Sequence, residues 1–258
     1  MAQSIQLKNK SEIDLMRKAN MIVYEVLQAI KDMGVPGVTT ADMNAKAQEI
    51  IKKAGAIPTF LNYTFTGSKT KPFPSTICAS KNEVVVHGFP DKIPLKEGEI
   101  VSIDCGCKLN GYCGDSAITL PIGKVSPVAN KLMETTVKCL EAAISKCVEG
   151  NRIGDISSAI QTMAEKNGFG VVREYVGHGI GKEMHEPPHV PNFGKAGQGR
   201  RLREGLVIAI EPMLTEGTYE VVILSDGWSV ATKDRKLAAH FEHTVAIVKG
   251  KPFVLSRP

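Results

Sequence analysis

No stretch of this chain holds the roughly 18 consecutive apolar residues that a membrane-spanning helix needs. Its opening, Met1-Ala2-Gln3-Ser4-Ile5-Gln6-Leu7-Lys8, has no apolar core of a signal peptide, so the cytoplasm is the expected compartment. No linker or low-complexity run divides the sequence, and one domain over residues 1–258 is expected. Neither sign of charge dominates strongly; a net charge of +5 permits contact with nucleic acid without requiring it. Zinc-ribbon spacing is also missing. Cys105, Cys107 and Cys113 lie close together, but no second cysteine pair completes four ligands. With Cys78, Cys139 and Cys147 they read as small, buried, reduced thiols.

What the chain does have is an internal match. Leu95-Lys96-Glu97-Gly98-Glu99-Ile100-Val101-Ser102-Ile103-Asp104 aligns without a gap on Leu202-Arg203-Glu204-Gly205-Leu206-Val207-Ile208-Ala209-Ile210-Glu211. Each reads as a turn, then a buried strand, then an acid. An acid ending an apolar strand is costly unless a cation receives it. Two in matching places suggest a duplicated fold that gathers carboxylates around metal.

The order of elements repeats in the same way. An apolar stripe through Ile13, Met16, Val23, Leu27 and Ile30 predicts a first helix, with Ser11 and Asp14 at capping-box spacing. A second helix is expected from about Thr40 to Lys53. Strands follow at Asn82–His87, Ile100–Leu109 and Tyr112–Leu120, the last two joined by the hairpin signal Asn110-Gly111. Then Ser126-Pro127 opens a helix to about Val148, and Asp155 caps another to about Asn167. Strands are expected at Val171–Val176, Leu206–Glu211, Tyr219–Leu224 and Phe241–Val248, with a Gly-rich basic loop from Gly194 to Arg201. The predicted class is α+β. Two pseudo-symmetric helix-helix-strand halves, about 11–122 and 123–250, share a mostly antiparallel sheet with helices outside.

If Asn110-Gly111 forms the loop, Leu109 pairs with Tyr112 and Gly106 faces Asp115. Asp104 then points to the same face as Asp115, a diagonal neighbour with Cβ atoms roughly 7–8 Å away or less. Downstream stand His178, in Gly177-His178-Gly179-Ile180-Gly181, then Glu211 and Glu242. Singly each is a weak signal. Together, four carboxylates and an imidazole suit two divalent ions about 3.5–4 Å apart.

This set, Asp104, Asp115, His178, Glu211 and Glu242, resembles the ligand set of the pita-bread metallopeptidases. The resemblance is closest to the short bacterial form of the type I methionine aminopeptidases and runs from about Ser11 to Val248. It rests on Asn82-Glu83-Val84-Val85-Val86-His87-Gly88, Ile103-Asp104 with Gly114-Asp115, Gly177–Gly181, Met184-His185-Glu186, Ile210-Glu211-Pro212-Met213 and Phe241-Glu242-His243-Thr244. The short interval between His178 and Glu211 lacks the insertion of the type II enzymes.

The resemblance implies a pita-bread fold and two divalent ions (Co, Mn, Fe or Zn). It implies removal of the N-terminal methionine from nascent polypeptides when the second residue is small. Asp115 and Glu242 would bridge both ions, Asp104 would serve one, and His178 and Glu211 the other. Glu211 would also move a proton. His87 would contact the scissile amide and His185 the carbonyl oxygen. Phe73, Cys78, Met184 and Trp228 would surround the methionine side chain, Phe73 and Met184 standing where many bacterial members carry Tyr and Phe. A monomer is expected, with no membrane contact. The basic run Lys233, Arg235 and Lys236 is a candidate ribosome contact, though an ordinary solvated loop is the commoner use of such charge. Two alternatives stay open: a prolidase or proline aminopeptidase of the same fold, and a non-catalytic binding relative. The second is disfavoured because such relatives lose metal ligands.

Overall fold

Asn9, not Ser11, opens the first helix. Its Oδ1 accepts the Glu12 N–H at 3.1 Å, and Glu12 Oε2 accepts the Asn9 N–H at 2.9 Å. A Glu reaches back across that turn better than the Asp of the expected box. Asp14 instead meets Lys10, one turn away, at 2.9 Å.

The computed structural model describes residues 5–64 and 70–258; the first four residues of the expected signal-free start lie outside them. The helices are α1 (Lys10–Met33), α2 (Thr40–Lys53), α3 (Pro127–Ile144) and α4 (Ile153–Lys166). Between α2 and α3 run β1 (Ile57–Pro58), β2 (Ile77–Lys81), β3 (Val84–Val86), β4 (Ile100–Leu109) and β5 (Tyr112–Pro121). After α4 come β6 (Gly170–Val171), β7 (Gly177–Gly179), β8 (Glu186–Val190), β9 (Val207–Ile210) and β10 (Met213–Thr215). The last are β11 (Val221–Ile223), β12 (Val230–Thr232), β13 (Ala238–His240), β14 (Glu242–Val248) and β15 (Lys251–Val254). The chain is α+β, with the order helix, helix, strands occurring twice.

The main sheet runs β1-β4-β5-β14-β9-β7-β8, with β2 also on β4 and β15 on β14. The described pairings are antiparallel. The first matched decapeptide ends at Asp104 within β4 and the second at Glu211, one residue past β9, and both strands belong to this one sheet. Strand β5 meets β14 at its centre, so the two halves of the sequence join there. Helices α1 and α2 bury Val23, Leu27 and Ile51 with Ile103. Helices α3 and α4 bury Leu132, Ile156 and Ile160 with Ile208 and Ile210.

The Asn110-Gly111 hairpin has the expected register, with Leu109 opposite Tyr112 and Gly106 opposite Asp115. Elsewhere strands are shorter than their β-branched runs. Of Val171–Val176 only Val171 pairs, in β6, because the chain then bends to bring Glu174, Tyr175 and Val176 to a cavity wall. Asp155 does not cap α4 from outside. It stands one turn inside, and its carboxylate accepts the Arg152 N–H at 2.7 Å. The six cysteines are free and buried, with no disulfide among them. Cys107 and Cys113 donate to the Ala19 and Lys182 carbonyls, which suits packed thiols rather than zinc ligands.

Candidate active site

Sheet register gathers the acids. Asp104 and Glu242 lie opposite Ala117 from its two sides, on β4 and β14. Registered neighbours share a face, so Asp104, Ala117 and Glu242 form one row across three strands. Asp115 is two residues from Ala117 and joins that face. Glu211 follows Ile210, which pairs with His243, and therefore lies beside Glu242. The methyl of Ala117 leaves the centre of the row open.

Close packing of α1 holds this arrangement from behind. A Cβ on Gly114 would lie 2.5 Å from the Asn20 nitrogen and 2.6 Å from the Ala19 carbonyl carbon, so helix and strand meet backbone to backbone. That approach lets the fully buried Asn20 Oδ1 accept the Asp115 N–H at 3.2 Å. On the other side, Thr244 Oγ1 donates to the Asp115 carbonyl at 2.8 Å.

All five predicted ligand residues line one cavity of about 470 Å³. Asp115, His178 and Glu242 are tightest, with one ligand atom from each within 4.8 Å of the others. His178 Nε2 lies 3.7 Å from Asp115 Oδ2 and 3.6 Å from Glu211 Oε1. These are not ion pairs, because burial, helped by nearby His185, pushes the His178 imidazole down to about 3. Its Nδ1 lies 2.9 Å from the Gly179 carbonyl, which can only accept. Nδ1 therefore carries the proton, and Nε2 presents its lone pair to the acids.

The carboxylates show the strain of proximity. Burial raises Asp104 to about 7. Burial first, then the charges of Glu242 and Asp104, raises Asp115 well above the carboxylate range. Glu211 and Glu242 rise for the same reasons, burial first and neighbouring acids second. Asp104 Oδ1, Asp115 Oδ1 and Glu242 Oε1 are buried without a hydrogen-bond partner. Converging acids with orphaned oxygens, beside an imidazole offering a lone pair, make a donor set that fits divalent cations.

Around the acids stand groups of another kind. His185 packs edge-on to His178, ring centroids 4.4 Å apart, and its Nδ1 lies 2.9 Å from the Tyr63 hydroxyl. His87, at φ 60°, stands edge-on to Tyr175 at 5.6 Å and to Trp228 at 6.2 Å. Burial pushes its imidazole down to about 4. Phe73, Cys78 and Trp228 form an apolar cluster on the cavity wall, with Phe60, Tyr63 and Phe89 against it. Trp228 is held by its Nε1–H, which donates to the Lys71 carbonyl at 2.8 Å.

Met184 lies apart from that lining. It packs in a cluster with Ile13 and Met16 and faces a smaller neighbouring cavity of about 380 Å³ beside Thr59 and Cys113. It occupies the space that a side chain on Gly106 would need.

Sequence reasoning gave Tyr63, Tyr175, Asn20 and His240 no part in the site. Asn20 had a legible signal: an amide among Met16, Val23 and Leu27 on an apolar stripe needs a partner. His240 is buried, with Nε2 at 3.6 Å from Glu211 Oε2, and had only its nearness to Glu242 to mark it. Tyr63 and Tyr175 carried no such signal.

Comparison with known proteins bears on the family and the fold. The chain is 50% identical over 253 residues to a methionine aminopeptidase of Clostridium acetobutylicum, covering 98% of each chain. It is 45% identical to methionine aminopeptidase 1 of Bacillus subtilis over 97% of this chain and 98% of that one. The crystal structure of a methionine aminopeptidase from Thermotoga maritima superposes with a TM-score of 0.94 at 41% identity, over 99% and 100% of the two chains. A prolidase from Pyrococcus horikoshii shares the fold alone, with a TM-score of 0.77 at 21% identity over 97% of this chain and 63% of that one. The fold is the pita-bread fold. Residues 14–249 match the profile of metallopeptidase family M24, and the chain belongs to that family.

Proposed function

We propose that this protein removes the N-terminal methionine from polypeptides whose second residue is small. The observation that carries this is the juxtaposition of four acids and an imidazole with the apolar wall of Phe73, Cys78 and Trp228 in one cavity. Full-length relatives named methionine aminopeptidases support it.

Asp115 and Glu242, at the centre of the acid face, would hold both ions. Asp104 would hold one, and His178 and Glu211 the other. When bound, two divalent ions (Co, Mn, Fe or Zn) supply Lewis acidity, acidifying water and polarising a carbonyl. The chain's own groups do the rest. Glu211 takes the proton of the attacking water and delivers it to the leaving amine. His185 donates from Nε2 to the carbonyl oxygen as charge develops there, which requires the ring to accept from the Tyr63 hydroxyl at Nδ1. His87 orients the scissile amide. Phe73, Cys78 and Trp228 receive the methionine side chain, with Met184 backing Gly106 from the adjoining cavity. The residue after methionine would sit beside His87, whose ring packs edge-on against Tyr175, so a small side chain should be accepted there and a bulky one excluded.

The same reading takes the chain as a single metallopeptidase domain of two pseudo-symmetric halves, monomeric and cytoplasmic. No helix among the described residues is long and apolar enough to cross a membrane. Ribosome docking would use Lys233, Arg235 and Lys236 on the exposed turn between β12 and β13. Lys233 there pairs with Glu220 at 3.2 Å, which leaves Arg235 and Lys236 as the main contributors. Charge reversal at Arg235 and Lys236 should weaken salt-sensitive co-sedimentation with ribosomes and spare peptide hydrolysis; unchanged binding ends that part.

The deciding experiment is a library of Met-X and Leu-X peptides read by mass spectrometry, with and without chelator. Met-Ala, Met-Gly and Met-Ser should be cleaved only with metal, while Met-Lys, Met-Phe and Leu-X persist. Equal loss of Leu and Met, or preference for an X-Pro peptide, overturns the reading.

A further inference from the structure

A buried ion pair outside the acid face has no part in the steps above. Lys8 Nζ lies 2.6 Å from Glu186 Oε2, with the side chains only 5% and 12% exposed. Such a pair contributes little net stability, because desolvating both charges offsets most of their attraction. It does impose one arrangement on the chain segments it joins. Lys8 is itself anchored twice: its N–H donates to the Gly205 carbonyl at 2.7 Å and its Nζ to the Gln6 carbonyl at 2.9 Å.

The other end of the pair closes a turn. Glu186 Oε1 accepts the Glu183 N–H at 3.1 Å, and the Gly181 N–H donates to the Glu183 carbonyl at 3.1 Å. A Cβ on Gly181 would lie 2.5 Å from Lys8 Cε and 2.6 Å from Glu186 Oε1, so the pair lies directly against the turn. That turn joins β7 to β8, where Gly179 pairs with Glu186. His185 is the residue next to Glu186, and its ring stands against His178.

We infer that Lys8 and Glu186 are positioning residues. Their ion pair locks the Gly181–Glu186 turn and thereby aims the His185 imidazole into the cavity. The inference rests on the role proposed for His185. Lys8 lies outside the cavity, and Glu186 lines it beside His185 with its carboxylate engaged by Lys8 and the Glu183 N–H, so loosening the pair should misplace His185 without emptying the site. Misplacement of about 1 Å can cost up to about a hundredfold in rate.

The test compares Lys8→Met, Glu186→Gln and Lys8→Arg in metal-replete enzyme with a Met-Ala-Ser peptide. The first two should lower kcat about tenfold, with KM and metal content near those of the parent, and Lys8→Arg should recover most of the loss. In a His185→Ala background, Lys8→Met should cost almost nothing further, because both changes act through one group. Hydrogen exchange of the metal-free protein gives a second readout. Glu186→Gln, which keeps side-chain shape, should speed exchange at Gly181 and Glu183 and leave the β4–β5 hairpin unchanged. A kcat within about twofold of the parent, full additivity with His185→Ala, or loss in step with metal content overturns the inference. If the parent does not cleave Met-Ala-Ser, the proposed function fails, and the exchange data still decide whether the pair holds the turn.

Discussion

Asp115 is held on both sides of its backbone. Its N–H is taken by Asn20, its carbonyl by Thr244, and its Oδ1 is left without a partner. Replacing Asp115 or Glu242 by the amide keeps shape but removes a charge from the pair proposed to hold both ions. Asp115→Asn and Glu242→Gln should each lower kcat/KM by at least about a hundredfold, the scale of losing a positioned group, and weaken binding of both ions. Titration calorimetry with metal checks this, and two tightly held ions with near-normal turnover would remove the bridging role. His185→Ala should instead lower kcat by about 10²–10³ while metal content stays full. Tyr63→Phe removes only the hydroxyl that holds His185 Nδ1. A hydrogen bond of about 1 kcal/mol predicts a kcat loss of about fivefold, with KM little changed.

The elements place these residues through contacts that run between distant segments. Helix α1 approaches β5 at Gly114, where no side chain intervenes. Gly114→Ala would push the helix away from the strand, and overpacking of this kind costs about 2 kcal/mol. The melting temperature should fall by about 5 °C for a chain of this size, and metal affinity should fall with it, because Asn20 would retreat from Asp115. A scanning calorimetry trace together with metal titration tests both. Helix positions were readable from apolar stripes because burial on one face imposes a 3.6-residue period. The β4–β5 hairpin was readable because Asn110-Gly111 sets its register locally. Shorter strands were not. Strands β10 and β13 form against partners more than twenty residues away, and β12 draws on β3 as well as on its neighbour β11.

Across the whole molecule, the acid face couples metal to stability. In the metal-free protein Asp104 titrates near 7, raised from 3.8 in the unfolded chain. Between those values the native state holds a proton that the unfolded state has lost, so the contribution of this group falls as pH rises from about 4 to 7, whereas the imidazoles of His87, His178, His240 and His243, held neutral down to about 3 or 4 by burial, contribute in the opposite sense below their unfolded value of 6.5. Asp115, Glu211 and Glu242 shift in the same direction and add to the slope. Metal binding should reverse this trend, since cations favour the ionised carboxylates. Ion at a hundred times its dissociation constant adds about 2.7 kcal/mol of stability. Melting curves from about pH 7 to 8.5, above the range in which histidines of the unfolded chain titrate, check the sign with and without metal; a metal-free melting temperature that climbs with pH there contradicts it.

Elements with local signals were legible in the chain: four helices, one hairpin, the doubled turn-strand-acid segment and five ligand candidates. Asp104 and Asp115 could be put on one face because eleven positions of continuous hairpin separate them, and strand geometry is periodic. Glu211, Glu242 and His178 could be named but not placed, since the pairings of β14 with β5 and of β9 with β7 join residues far apart in the chain. That Met184 stands behind Gly106, that Tyr63 reaches His185, and that Lys8 meets Glu186 across 178 positions depends on how the folded chain packs. Such contacts follow from the packing of whole elements against one another, and no local periodicity encodes the side chain that waits on the far side.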